Sequence, residues 1–444
     1  MTQDGKLEEV SGDTEFRSSS AYSNYVLGIL FVVYVFNFVD RQIMSVFIGP
    51  IKEEFGVSDT AMGLLVGFAF ALLYTVVGIP IARWADSGNR RNIIALGLAV
   101  WSAMTVLSGL ARSFATLAIA RVGVGVGEAA GSPPAHSLIA DYFPLNRRAT
   151  ALAVYASGAF VGSGIAYLGG GYLREYFDWR TAFIVVGAPG ILLALVLRFT
   201  VKEPPRGYSE VGAKDDSTST LKETLHFLMA SRCWVLLMLG FSLVSLTGYA
   251  VLMWGYEFFG RVHGMSPIRI GQWMGLIVGV GGSVGTIFGG LLVDKVSVKS
   301  LHLGIKVPVW ITLLGLPLGA VFLLTTSPTV SLLFFAPFYV LLNIYIPAMY
   351  AANQALAKLR MRATASAIML FVVNIVGAGL GPLVVGILSD YFSPQFGLEA
   401  IRYALLVSLG LGVIGCVLLL VSSRYYEDGV LKTRPKKIQG RAAR

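Results

Sequence analysis

Charged side chains are scarce in this sequence. Asp, Glu, Lys and Arg make up 14% of its 444 residues while 55% are hydrophobic; a soluble domain carries about a quarter charged residues. That shortage excludes a water-soluble globule of this length. Cysteine is nearly missing as well. Cys233 and Cys416 lie in or beside separate apolar segments, which excludes a disulfide framework and a Cys-x-x-Cys metal site. Of the four histidines, His136, near Asp141, has no further partner at metal-ligand spacing, so neither a metal nor a cofactor is expected. The first 22 residues are polar and hold no apolar stretch of a cleavable leader.

Long apolar runs fill the remainder, such as YVLGILFVVYVFNFV and YALLVSLGLGVIGCVLLLV. Runs near 20 residues read as bilayer-spanning helices. Twelve candidates follow, at 23–49, 59–85, 91–111, 115–141, 146–172, 178–201, 230–260, 267–293, 300–325, 329–357, 361–391 and 398–424. Breaker residues at Pro50, Pro144 and Pro328 separate neighbours. The sequence thus describes an all-α membrane protein with a polar tail (1–22), six spans (23–201), a polar linker (202–229), six more spans (230–424) and a basic tail (425–444).

Basic residues orient the chain. If the N-terminus is cytoplasmic, segments on that side carry 26 of the 35 Lys and Arg, the opposite side carries 7, and Arg41 and Arg121 fall inside spans. Such a bias places both termini in the cytoplasm. The net charge of +10 then faces anionic headgroups, and no nucleic-acid partner is needed to explain it.

The two halves repeat one another. GVSDTAMG at 56–63 matches GMSPIRIG at 264–271, and Asp86 matches Asp294, both at an offset of 208. RATALAVY at 148–155 matches RATASAIM at 362–369 at an offset of 214. A duplicated six-span unit in parallel orientation is the plan of transporters whose substrate site lies between the halves at mid-membrane. The loops GIPIARWADSGNRR and GGLLVDKVSVK resemble the cytoplasmic signature of the major facilitator superfamily. Gly290, Asp294 and Lys295 follow it closely; the first copy departs, with Ala82 in place of Gly and Ser87 after Asp86, yet keeps Arg90 and Arg91. The resemblance covers roughly residues 20–425 and implies twelve helices in two bundles, with Asp86, Arg90, Arg91, Asp294 and Lys295 at a cytoplasmic gate. A narrower resemblance rests on FNFVDRQIMSVFIGPIKEEFGVSD and RVGVGVGEAAGSPPAHSLIADYFPLNRRATALAVY, which look like the Spinster branch. It implies a lysophospholipid or sphingosine-phosphate-like substrate; carriers of sugar acids share parts of the pattern.

Four charges stand inside the first bundle. Arg121 and Glu128 are seven residues apart, so they share a helix face about 10 Å apart along the axis. Asp40 and Arg41 lie in the first span. Each such group costs about 2.5–3.5 kcal/mol to insert, so four of them call for a reason. Depth alone suggests two pairs, Asp40 with Arg121 and Arg41 with Glu128. The bland reading, a structural ion-pair network, weighs evenly against function for Asp40 and Arg121. For the near-central Arg41 and Glu128 function is favoured. Desolvation favours a protonated carboxyl and a nearby guanidinium the charged one, so Glu128, with Asp40, is expected to carry a proton. Arg41 suits an anionic headgroup, with Arg121, Asn37 and Ser132 beside it. No charged residue lies deep in a second-half span, which predicts a greasier opposing wall, with Tyr249, Met253, Trp254, Phe338 and Tyr345 as candidates. Singly, such aromatics more often pack than bind.

Two motif matches carry no weight. GGSVG at 281–285 and GLGVIG at 410–415 lie inside apolar spans, not at the strand-to-helix turns that a nucleophile elbow or dinucleotide fingerprint requires. The expected protein is a monomeric carrier of a bacterial inner membrane, its partners being membrane lipid, protons and an amphipathic lipid substrate. Its rivals are a symporter of a small organic anion, an intramembrane enzyme and a transport-dead receptor.

Overall fold

The computed structural model describes residues 19–206, 220–431 and 433. Twelve helices cross the molecule: α1 (Ser20–Val46), α2 (Asp59–Ala85), α3 (Arg90–Gly109), α4 (Phe114–Tyr142), α5 (Thr150–Tyr176), α6 (Trp179–Thr200), α7 (Arg232–His263), α8 (Pro267–Ser297), α9 (Leu303–Leu324), α10 (Pro328–Ala355), α11 (residues 362–396) and α12 (Ala400–Ser423). α1 to α10, and the 60-residue run Thr364–Ser423 that holds α11 and α12, are apolar and long enough to span a bilayer, and among the described residues there is no strand. The expected limits hold to within a few residues because the turns are punctuated chemically. Asn89, Ser113, Asp178 and Ser231 accept hydrogen bonds from the first-turn amides of α3, α4, α6 and α7, satisfying donors that a helix start leaves orphaned. Pro267 and Pro328 open α8 and α10, where the missing N–H costs nothing.

The linker departs from expectation. Residues 202–229 read as a polar stretch, yet Leu221–Met229 is a helix capped by Thr220. Its Leu228 is fully buried against the second half, and Lys358 sits over the Phe227 ring. An amphipathic segment this short is invisible against its polar neighbours because its stability comes from docking, not propensity.

α1 to α6 form one bundle and α7 to α12 the other. The bundles meet along two seams, α2 with α11 and α5 with α8. Both seams depend on missing side chains. A Cβ on Gly63 would stand 2.5 Å from the Pro382 carbonyl oxygen, and one on Gly171 would stand 2.6 Å from the Pro267 carbonyl oxygen. Only glycine lets these backbones touch. Wide-turn π segments interrupt α2 at Leu64–Ala69, α8 at Ile277–Gly281 and α11 at Asn374–Leu380, all beside the seams; such bulges frequently mark functional places.

The seams lie toward the face opposite the N-terminus, and a charged latch closes that face. Asp59 of α2 accepts from Arg261 of α7 at 2.7 and 3.0 Å, from Lys52 at 2.8 Å and from Ser389 of α11 at 2.7 Å. Glu257 of α7 accepts from Arg174 of α5 at 2.7 Å, from Arg261 at 3.1 Å and from the Gly49 amide at 3.1 Å. Asp390 of α11 caps the start of α2 through the Asp59 and Thr60 amides. Lys52, Arg174 and Arg261, three of the basic residues that the charge count leaves on the side opposite the N-terminus, are half-buried and meet the buried Asp59 and Glu257 in a network that joins the bundles. Arg261 holds an acid from each half, and charge-assisted hydrogen bonds contribute about 1.5–3 kcal/mol each. Arg261→Ala is therefore expected to favour the state open at this face by about tenfold or more. Spin labels at the exposed positions Glu53 and Ser393 would report it as a population at longer separation; an unchanged distance distribution would refute it.

Candidate functional site

Between the bundles lies a cavity of about 360 Å³, within the range of small-ligand sites. The first bundle contributes Tyr34, Phe38, Arg41, Tyr74, Ser132 and His136. The second contributes Ser245, Tyr249, Tyr339, Asn343, Tyr345 and Asn374 along with Leu252, Leu342, Ile346 and Leu370. Tyr350 also lines it and is 44% exposed. The cavity thus opens toward the N-terminal face and is shut by the latch at the other. Among the described residues no carboxylate lines it, and Arg41 is its one guanidinium.

Both charge pairs inferred from depth are present. Arg41 Nη2 donates to Glu128 Oε2 at 2.7 Å, and Arg41 Nε donates to the same oxygen at 3.3 Å. Arg121 Nη1 donates to Asp40 Oδ1 at 2.7 Å, and Thr105 of α3 donates to Asp40 Oδ2. The pairs differ in setting. Arg41 borders open space, with Phe38, Phe70 and Tyr74 rings 4.9, 4.7 and 5.2 Å from its guanidinium carbon; such ring faces attract a cation. Glu128 is buried behind it, and its Oε1 has no hydrogen-bond partner among the described residues. Asp40 and Arg121 are buried among α1, α3 and α4. They lie behind the cavity wall, so Arg121, expected at the substrate, is not placed to touch it in this conformation.

Among the other expected substrate residues, Ser132, Tyr249 and Tyr345 line the cavity. Asn37 does not; it is buried within the first bundle. Trp254 does not either. Its indole N–H donates to the Pro382 carbonyl at 2.9 Å and its ring lies under Arg261, which makes it part of the sealed face. Met253 and Phe338 are core residues, and Phe338 stacks on Phe322. The opposing wall is uncharged as expected, but not simply greasy: Asn343 and Asn374 put amides on it. Sequence reading missed Tyr34, Tyr74, Tyr339 and Tyr350, since helical periodicity cannot tell a cavity-facing aromatic from a packed one.

The expected gate residues divide. The Asp86 side chain lies outside what the structure describes. Asp294 and Lys295 are exposed and make no hydrogen bond or ion pair among the described residues, consistent with an open N-terminal face. Arg90 is instead an internal staple of the first bundle. It is 1% exposed and bonds Asp141 and Ser137 of α4, Glu203 at 2.6 Å and the Pro204 carbonyl. Arg91 joins the same corner through its amide to Glu203 and its guanidinium to the Val201 carbonyl. Arg90→Ala removes the guanidinium shared by two partly covered carboxylates and is expected to destabilise the protein by about 1–3 kcal/mol, measurable as a lowered melting midpoint in detergent.

The family model described as Major Facilitator Superfamily matches residues 30–378. The chain belongs to that superfamily. Its match includes Asp40, Arg41, Arg121 and Glu128, and the two-bundle fold is the one expected of the superfamily. A solved bacterial homologue of the human lysosomal transporter Spinster, in an inward-facing and unoccupied conformation, is similar with a TM-score of 0.84 and 31% identity, covering 93% of this chain and 99% of that one. An MFS-type efflux pump of Mycolicibacterium smegmatis is 33% identical over 410 residues, 92% of this chain and 94% of the pump. A D-galactonate transporter of Escherichia coli is 28% identical over 299 residues, 63% of this chain and 68% of that protein. This superfamily member is therefore a multi-pass membrane transporter related to the Spinster homologues, and not an enzyme.

Proposed function

We propose that this superfamily member is a proton-coupled carrier of an amphipathic lipid with an anionic head, such as a lysophospholipid, working by alternating access in a bacterial inner membrane with both termini in the cytoplasm. The observation that carries this reading is the Arg41–Glu128 pair on the wall of an otherwise uncharged, tyrosine-rich cavity. A guanidinium already neutralised by a carboxylate is a poor host for a second anion. Protonating Glu128 removes the competing charge and leaves Arg41 for the headgroup, so proton and substrate load together. The aromatic and aliphatic walls suit an acyl chain, while Ser132 and His136 sit on the same side as Arg41. Asp40, the second carboxylate of the proposed proton step, is tied to Arg121 behind the wall.

A second reading is a symporter of a small organic anion. The amides of Asn343 and Asn374 opposite Arg41 would suit the hydroxyls of a sugar acid, and the D-galactonate transporter is among the relatives. Purified protein in liposomes with an imposed pH gradient separates the two. Gradient-driven movement of a labelled lysophospholipid, unaffected by excess galactonate, is the expected result. Movement of galactonate alone would replace the lipid reading with the second.

A further inference from the structure

A second cavity lies on the outer wall of the first bundle, away from the transport path. It measures about 470 Å³ and runs between α3 and α6. Its existence follows from side-chain size. Ala95 and Ala99 of α3 and Ala194 of α6 form the floor, while Leu96, Ile191 and Leu195 stand up as walls, with Leu96 and Leu195 about half exposed. Trp84 at the end of α2 closes one side.

The groove is polar at one end only. Asn89 and Asn92 at the start of α3 and Arg198 at the end of α6 line its mouth at the N-terminal face. From Asn92 to Ala99 the groove descends about 10 Å along α3, wholly between apolar residues. Arg198 has no carboxylate partner among the described residues; its one contact of note is the Phe199 ring. Two more guanidiniums stand beside the mouth. Arg91 donates to the Asn92 side chain at 3.0 Å, and Arg206 donates to the Gly88 carbonyl at 2.8 Å, next to Asn89. Neither forms an ion pair among the described residues, and Glu203, the nearby acid, is already engaged by Arg90.

We propose that this groove is a binding site for one anionic phospholipid of the leaflet at the N-terminal face. An acyl chain fills the alanine-floored trench, and the phosphate meets Arg198 with the Asn89 and Asn92 side chains beside it. Three guanidiniums without carboxylate partners among the described residues select negative charge, as basic pockets between spanning helices do, and Arg198, the one that lines the groove, is presented for a charge-assisted bond to phosphate. A zwitterionic headgroup brings its own cation to the same crowded mouth and gains less. The site is independent of the cargo, since it faces the bilayer and the transport cavity faces the other bundle.

The test is native mass spectrometry of the full-length protein in detergent, titrated with phosphatidylglycerol or phosphatidylcholine. The unaltered protein is expected to retain one phosphatidylglycerol in preference to phosphatidylcholine. Arg198→Glu, at an exposed position, should weaken that retention about tenfold or more, the equivalent of losing a charge-assisted bond. Ala194→Trp, which fills the trench, should abolish it, while Arg269→Ala, at an exposed position of the second bundle, should leave it unchanged. Equal retention of both lipids by the unaltered protein, full retention by either groove variant, or loss in Arg269→Ala overturns the proposal.

Discussion

Glu128→Gln is expected to abolish substrate movement driven by a pH gradient while preserving substrate exchange across the membrane. The substitution keeps the shape of a side chain that is 1% exposed, and the amide oxygen can still accept from Arg41, so the fold should survive. It removes the carboxylate oxygen that both guanidinium hydrogen bonds of Arg41 reach. Arg41 then stays permanently available to an anionic headgroup, and binding no longer waits on a proton. Substrate should bind at high pH at least as tightly as to the parent protein, whose Glu128 carboxylate there competes for Arg41. The expected signature is a loss of gradient-driven transport of about tenfold or more, a free-energy change near 1.4 kcal/mol, together with a binding curve flat between acid and alkaline pH. Liposome flux with and without a gradient, paired with substrate titrations at two pH values, measures both. A variant that moves substrate with the parent's pH dependence would remove Glu128 from the coupling step.

Much of this arrangement is legible in the sequence because a bilayer restricts the options. Apolar runs can only be helices in hydrocarbon, which fixes the spans, and the matched segments around Asp86 and Asp294 reveal the duplication. The pairing of Arg41 with Glu128 and Asp40 with Arg121 follows from helical rise and chain direction alone, since both variables are set once the spans are. What resists reading depends on rotation about a helix axis. Trp254 and Tyr249 are five residues apart on α7, yet one closes the sealed face and the other borders the cavity. The moderate excess of one apolar residue type over another carries no information on which face meets the other bundle. The latch is hidden for a related reason. Asp59, Arg174, Glu257 and Arg261 sit near span ends, where charge is cheap and ordinarily faces water, so nothing local distinguishes a buried interbundle network from surface decoration. Only the glycines opposite Pro382 and Pro267 hint that backbones close up there, and their partners are more than 90 residues distant in the chain.

Arg121→Ala is expected to act on stability where Glu128→Gln acts on coupling. Arg121 is 5% exposed, and its guanidinium meets both the carboxylate and the carbonyl of Asp40. Its removal leaves Asp40, 2% exposed, charged and, among the described residues, held by Thr105 alone, and stranding one member of a buried pair costs about 3–5 kcal/mol. The melting midpoint in detergent should fall sharply. Neutralising both members, with Asp40→Asn and Arg121→Gln together, should restore most of the loss, because Thr105 can still donate to the Asn oxygen and no bare charge remains. The recovery separates two roles that sequence alone weighs evenly. If Arg121→Ala melts like the parent but no longer binds substrate, Arg121 is a ligand-binding residue that reaches the cavity in another conformation. If the single variant melts low and the double variant recovers, the pair fastens α1 to α4 and holds Arg41, the next residue along, facing the cavity and Glu128.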